Sequence, residues 1–274
     1  MKVGIIGGTG KMGGFFRGVF SRAGCDVLVS GRSTELSAAA LAEQCDIVIV
    51  SVPVRDTVRV IDKIAPLLTE DQLLCDLTSL KVEPVAAMLK SDAQVIGLHP
   101  MFGPTVSSLC HQTIIVCPAR ADTGVLTYLL TIFQNEGAEC TITTPEAHDR
   151  MMAVVQGLTH FVTLTVAESI RRLGVDIEQT QRFTSPVYQI ELSLVGRLLS
   201  QAPDLYADIL EKNPYVPEVL DACRAAAGDL ALIISDGDPD LFRAFFERNT
   251  RHFGEFCDKG QEMTDALIEC MVKK

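Results

Sequence analysis

Short apolar runs bounded by glycine, proline or polar residues recur through the first half of the chain, over residues 3–6, 26–30, 47–52, 73–76, 94–98, 113–117 and 139–142. Their length and β-branched content predict strands. Between several of them apolar residues return at helical spacing, as over residues 12–23 and 55–68. Strand and helix in alternation predict an α/β domain built on a doubly wound, mostly parallel sheet. The pattern changes at Thr144-Pro145-Glu146, where a capping hydroxyl, a proline suited to the first helical position and an early acid mark a helix start. One long helix is expected from there to Gly174, then helices over 186–200, 204–212, 217–234, 239–257 and 260–272. The expected organisation is a sheet domain over residues 1–144 and an all-helical domain over 145–274.

At 274 residues the chain is long enough for two domains, each with its own core. No apolar run reaches the length of a membrane span, and the glycines that interrupt the first one argue against a signal peptide. Nine scattered cysteines without a CxxC pair read as reduced thiols, not a disulfide framework or a metal site. Together these features predict a soluble cytoplasmic protein. The formal net charge of -11 argues against nucleic-acid binding and requires a local cationic group for any anionic substrate. The helical half is richly apolar for its size, which predicts a homodimer.

Gly8-Thr9-Gly10-Lys11-Met12-Gly13 follows the first strand and opens the first helix. This is the GxGxxG dinucleotide fingerprint in the context it needs, a Rossmann-type β-turn-α start. The first glycine permits the turn, the second lets backbone approach a pyrophosphate, and the third lets helix and strand pack closely. The second strand ends in Ser30-Gly31-Arg32-Ser33-Thr34, with no acid to hold a ribose 2′-hydroxyl. Arg32 with the hydroxyls of Ser30, Ser33 and Thr34 would suit a 2′-phosphate, so NADP is the preferred cofactor and NAD the alternative. Glu35 nearby keeps a second reading open, an ordinary solvated loop arginine. A different chemistry is carried by Gly97-Leu98-His99-Pro100-Met101-Phe102-Gly103-Pro104. A histidine between a short strand and a rigid turn is where a general base should stand.

With these residues the chain resembles the prephenate dehydrogenase family over nearly its whole length, most of all the dehydrogenase part of the bacterial enzymes fused to chorismate mutase. The resemblance runs through Ser51-Val52-Pro53, Asp76-Leu77-Thr78-Ser79-Leu80-Lys81, His148-Asp149, Gln156-Gly157-Leu158-Thr159-His160-Phe161, Ser185-Pro186-Val187-Tyr188, Gly196-Arg197-Leu198 and Leu205-Tyr206-Ala207-Asp208. No mutase segment or regulatory domain is expected in this chain. The resemblance implies an NAD(P)-dependent oxidative decarboxylation of prephenate to 4-hydroxyphenylpyruvate in tyrosine biosynthesis, in a cleft between the two domains. Arogenate dehydrogenase, another reductase of similar build and a non-catalytic NADP-binding redox sensor are the rivals.

By the same resemblance His99 is the base and Ser79 the serine that orients it, although Ser79 also suits a helix cap. Arg197 is the substrate anchor, unless it pairs with an acid such as Glu191. His160, Lys81 and Tyr206 are further substrate contacts, with a core histidine, a surface lysine and core packing as the respective alternatives. Val52 and Pro53 join the cofactor site. Thr105 and Gln189 depart from the residues some relatives carry there, a glutamate and a basic residue respectively.

Overall fold

The first strand, β1 (Lys2–Ile6), runs directly into the glycine turn, and the computed structural model describes Met1–Val272 from there on. The order continues α1 (Lys11–Arg22), β2 (Asp26–Ser30), α2 (Ala38–Ala42), β3 (Ile47–Val50), α3 (Val54–Ile64), β4 (Leu73–Asp76), α4 (Val82–Met88), β5 (Gln94–Pro100), β6 (Thr113–Arg120), α5 (Thr123–Asn135) and β7 (Glu139–Ile142). Then come α6 (Pro145–Met152), a π-helical turn (Ala153–Leu158), α7 (Thr159–Arg172), α8 (Ile177–Gln181), α9 (Pro186–Leu199), α10 (Pro203–Lys212), α11 (Val216–Asp236), α12 (Pro239–Phe253) and α13 (Phe256–Val272).

The seven strands form one sheet in the order β2-β1-β3-β4-β5-β6-β7. All neighbours pair parallel except β5 with β6. Alternating side chains build a core on each face. Val3, Ile5, Ile47 and Ile49 pack with Phe16, Phe20 and Phe133 on one side. Ile6, Val48 and Val50 pack with Leu41, Ile61, Val85 and Met88 on the other. This is the doubly wound α/β sheet expected from the alternation, followed by helices. Because β1 to β5 are parallel, Ile6, Ser30, Val50, Asp76 and Pro100 end at one edge of the sheet. Strand order reverses beside β1, and in such sheets ligands bind outside the carboxyl ends at that point.

The chain divides into two compact units. One comprises Met1–Val155 and Asp204–Tyr215; the other comprises Gln156–Pro203 and residues 216–272. The strand pattern ends beside the expected boundary at Thr144, but α6 and most of α10 belong to the sheet unit. Thr144 caps α6 by accepting a hydrogen bond from Ala147 N at 3.2 Å, with Pro145 in the first turn. In the helical unit α7 and α13 pack on α9, and α12 packs on α11 and α13.

Several elements differ from their expected bounds. The helix expected from Thr144 to Gly174 contains the π-helical turn and ends at Arg172. The run Pro145–Arg172, 28 residues, is long and apolar enough by composition to cross a membrane, where no such run was expected. Its first turns lie in the sheet unit and bury His148, Asp149 and Met152. β5 extends two residues further than expected and takes His99 into the strand. All nine cysteines are free. Burial pushes the Cys45 thiol up to about 11 and Cys117 up to about 12.

Candidate active site

The glycine turn leaves β1 with Gly7 at φ 86°, a conformation that favours glycine. Gly7 N donates to Ser30 O at 2.7 Å, and Gly10 N donates to Gly7 O at 2.9 Å. The turn conformation is therefore carried by Gly7, one residue before the fingerprint's first glycine. Gly8 is instead pressed on β2: a Cβ there would lie 2.6 Å from Val29 Cγ1. A Cβ on Gly13 would lie 2.5 Å from Gly7 O and 2.8 Å from Gly8 Cα, so this glycine lets α1 start close against the turn. Lys11 is exposed at the start of α1, while Met12 packs on the core.

The neighbouring pieces abut this turn. Val52 lies against Gly7, and Thr9 lies against Gly31, where added Cβ atoms would meet their side chains at 3.2 and 2.4 Å. Pro53 caps the start of α3. Ser30 is buried, whereas Arg32 and Ser33 are exposed. Thr34 Oγ1 accepts from Gly31 N at 2.8 Å and closes the loop that presents Arg32. The turn, the start of α1 and the Arg32 loop thus make a backbone-lined cradle fit for a dinucleotide: the glycines keep it open to a pyrophosphate, and Arg32 and Ser33 offer polar groups beside it.

At the same sheet edge, β5 carries His99, only 3% exposed. Its Nδ1 lies 2.8 Å from Nε2 of His148 on α6. His148 Nδ1 lies 2.7 Å from Oδ1 of Asp149. Asp149 also accepts from the backbone N–H groups of Lys81 at 2.8 Å and Val82 at 2.9 Å, and its carbonyl accepts from Asn213 Nδ2 at 2.7 Å. Burial, then the nearby His148 and Lys81, hold the His99 pKa well below the ordinary histidine value. A histidine that resists protonation is neutral near pH 7 and retains a lone pair, as a base requires.

Two expectations are corrected here. Lys81 is fully buried: its ammonium pairs with Asp76 and donates to Leu98 O at 2.8 Å. Burial of that charge demands the carboxylate beside it, so the ammonium braces the backbone next to His99 and is not the surface lysine of the alternative reading. Thr78 completes the brace by donating to Asp76 Oδ2 from its N–H and hydroxyl. Ser79 makes no side-chain hydrogen bond to another described residue, and it does not cap α4, whose cap position is Lys81. The partner of His99 Nδ1 is His148.

Tyr206 lies half-buried on α10, within the sheet unit. There Asp208 receives Arg55 Nε at 3.0 Å and ties α10 to α3. His160 on α7 and Arg197 on α9 belong to the helical unit. Burial lowers the His160 pKa. Arg197 is exposed, and among the described residues it forms no ion pair with Glu191 or another acid. The sheet unit therefore brings His99, Lys81 and Ser79 to one edge with the cofactor candidates, while His160 and Arg197 stand in the other unit.

Residues 27–142 match the family described as prephenate dehydrogenase, nucleotide-binding domain, and residues 144–249 match prephenate dehydrogenase, dimerization domain. The chain belongs to the prephenate dehydrogenase family. It is 34% identical to a probable arogenate/prephenate dehydrogenase of Methanocaldococcus jannaschii, over 98% of this chain but 64% of that protein's length. It is 32% identical to the T-protein of Haemophilus influenzae, over 98% of this chain and 71% of the relative. The fold is similar to the crystal structure of prephenate dehydrogenase from A. aeolicus in complex with hydroxyphenyl propionate and NAD+, with TM-score 0.75 and 21% identity, covering 92% of this chain and 97% of that one. In this prephenate dehydrogenase family chain, sequence reasoning assigned no role to Asp76, His148 or Asp149. The available signal was an adjacent His-Asp pair at the start of the helix after the last strand.

Proposed function

We propose that the protein catalyses the NAD(P)-dependent oxidative decarboxylation of prephenate to 4-hydroxyphenylpyruvate, with His99 as the base. The observation that carries this reading is the shared sheet edge of His99 and the glycine turn in a chain of this family. A dinucleotide held by that turn would supply the hydride acceptor through its nicotinamide. His99 takes the hydroxyl proton as hydride leaves the carbinol carbon; the bond to the ring carboxylate then breaks, and its electron pair completes the aromatic ring. The proton returns to the phenolate oxygen. Aromatisation drives the reaction, so the protein's task is to orient groups and hold one proton.

Arg197 is the guanidinium proposed for a substrate carboxylate, and its exposure, with no ion pair among the described residues, supports that role. His160 and Tyr206 are proposed to line the substrate. NADP is the preferred cofactor through Arg32 and Ser33, with Gly8, Thr9, Gly10, Lys11, Met12, Gly13, Ser30, Val52 and Pro53 shaping its cradle. Nine free thiols support a reducing compartment such as the cytoplasm. The functional unit is proposed to be a homodimer. Arogenate is the second substrate reading, favoured by the name of the M. jannaschii relative.

The test is absorbance at the reduced-nicotinamide band with prephenate and arogenate, each with NAD and NADP. Prephenate turnover that disappears in His99→Asn is the expected result. Turnover of arogenate alone changes the substrate, and turnover of neither overturns the reading. Arg32→Ala is expected to lower efficiency with NADP more than with NAD; equal losses would overturn the NADP preference.

A further inference from the structure

The contacts from Asp149 to His99 determine where protons can sit. The backbone N–H groups of Lys81 and Val82 only donate, and they engage one carboxylate oxygen of Asp149 each. Towards His148 the carboxylate is therefore an acceptor, and His148 Nδ1 carries the hydrogen. In a neutral imidazole the other nitrogen is then bare. His148 Nε2 must accept, and it faces His99 Nδ1 at 2.8 Å. Nδ1 of His99 is the donor, so the lone pair of His99 lies on Nε2.

We propose that His148 and Asp149 are positioning residues that lock His99 in the tautomer whose Nε2 accepts the substrate hydroxyl proton. The inference rests on the reading of His99 as the base. When the substrate O–H bond breaks and an N–H bond forms at Nε2, His99 becomes an imidazolium. Its Nδ1–H remains directed at His148 Nε2, and the Asp149 carboxylate behind His148 offsets the new charge. Transfer of that Nε2 proton to the product phenolate restores the starting tautomer. The pair is held against rotation: both side chains are buried, and Asp149 is fixed by the two N–H groups, with its carbonyl held by Asn213.

The experiment is two-bond ¹H–¹⁵N correlation NMR on the full chain labelled with ¹⁵N-histidine near neutral pH, assigned with His99→Asn and His148→Asn. The expected result is that His99 and His148 both carry their hydrogen on Nδ1, whereas a free neutral histidine side chain in water favours Nε2. A hydrogen on Nε2 of His99 would overturn the proposal without any need for turnover. In parallel, His148→Phe is expected to lower kcat about 100-fold or more and to shift the acidic limb of kcat/KM, with the nucleotide Kd unchanged. His99→Asn separates the two readings. Full turnover in that variant would remove the base itself. Its inactivity beside wild-type turnover in His148→Phe would remove only the positioning pair.

Discussion

A buried imidazole serves as a base only while it stays neutral, and the neighbours of His99 favour that state. His148 faces it from α6 with Asp149 behind, and Lys81 acts from the turn before α4 while paired with Asp76 at the end of β4. Burial first, then His148 and Lys81, lower its pKa. The base is competent above that pKa, so the acidic limb of kcat/KM for prephenate is expected below pH 6.5, the ordinary histidine value. A limb at or above that value in a pH profile contradicts the electrostatic account. Lys81 makes a second prediction. Lys81→Met leaves the Asp76 carboxylate buried without its cation, a loss of about 3–5 kcal/mol in urea unfolding. Asp76→Asn in the same chain should recover part of it. The sequence made His99 legible, because a histidine between strand and rigid turn is a local pattern. It misplaced Lys81, since its partner Asp76 lies five residues earlier across a turn. It also left His148 and Asp149 without roles, because neighbours on a helix do not ordinarily face each other.

Elements fix how these side chains meet. The strands were legible because a sheet buried on both faces needs short apolar runs, and β1 to β4 are nearly unbroken ones. The extra two residues of β5 were hidden by the Pro-Gly turn signal after them, which tertiary pairing with Ile114 and Ile115 of β6 overrides. The π-helical turn left no local mark either, since its residues keep the apolar character of the helix around it. At the other end of the edge, α1 approaches the turn as closely as backbone permits. Gly13→Ala must push α1 from Gly7 and Gly8, and backbone atoms cannot yield as a flexible side chain does. It is expected to cost about 1–3 kcal/mol of stability in a urea titration and to raise the Kd for nucleotide. Unchanged values for both would mean that the cradle tolerates a methyl group.

Over the whole molecule, apolar exposure is concentrated in the helical unit. Phe183, Leu232, Ile234, Phe246, Phe256 and Met263 are all more than half exposed in the single chain. Surface of that kind favours burial against a second copy, so sedimentation at micromolar concentration is expected to give twice the 29.8 kDa chain mass. A monomeric mass would contradict it. The sheet unit buries charge instead, with Lys81 and Asp76 fully enclosed. Trypsin needs a lysine side chain in its specificity pocket with the flanking chain drawn out through its cleft. Lys81 offers neither while its ammonium is held by Asp76 and Leu98 and its N–H by Asp149. The Lys81–Val82 bond is therefore closed to digestion until the sheet unit opens, and the rate at which a fragment ending at Lys81 appears is a clock for that opening.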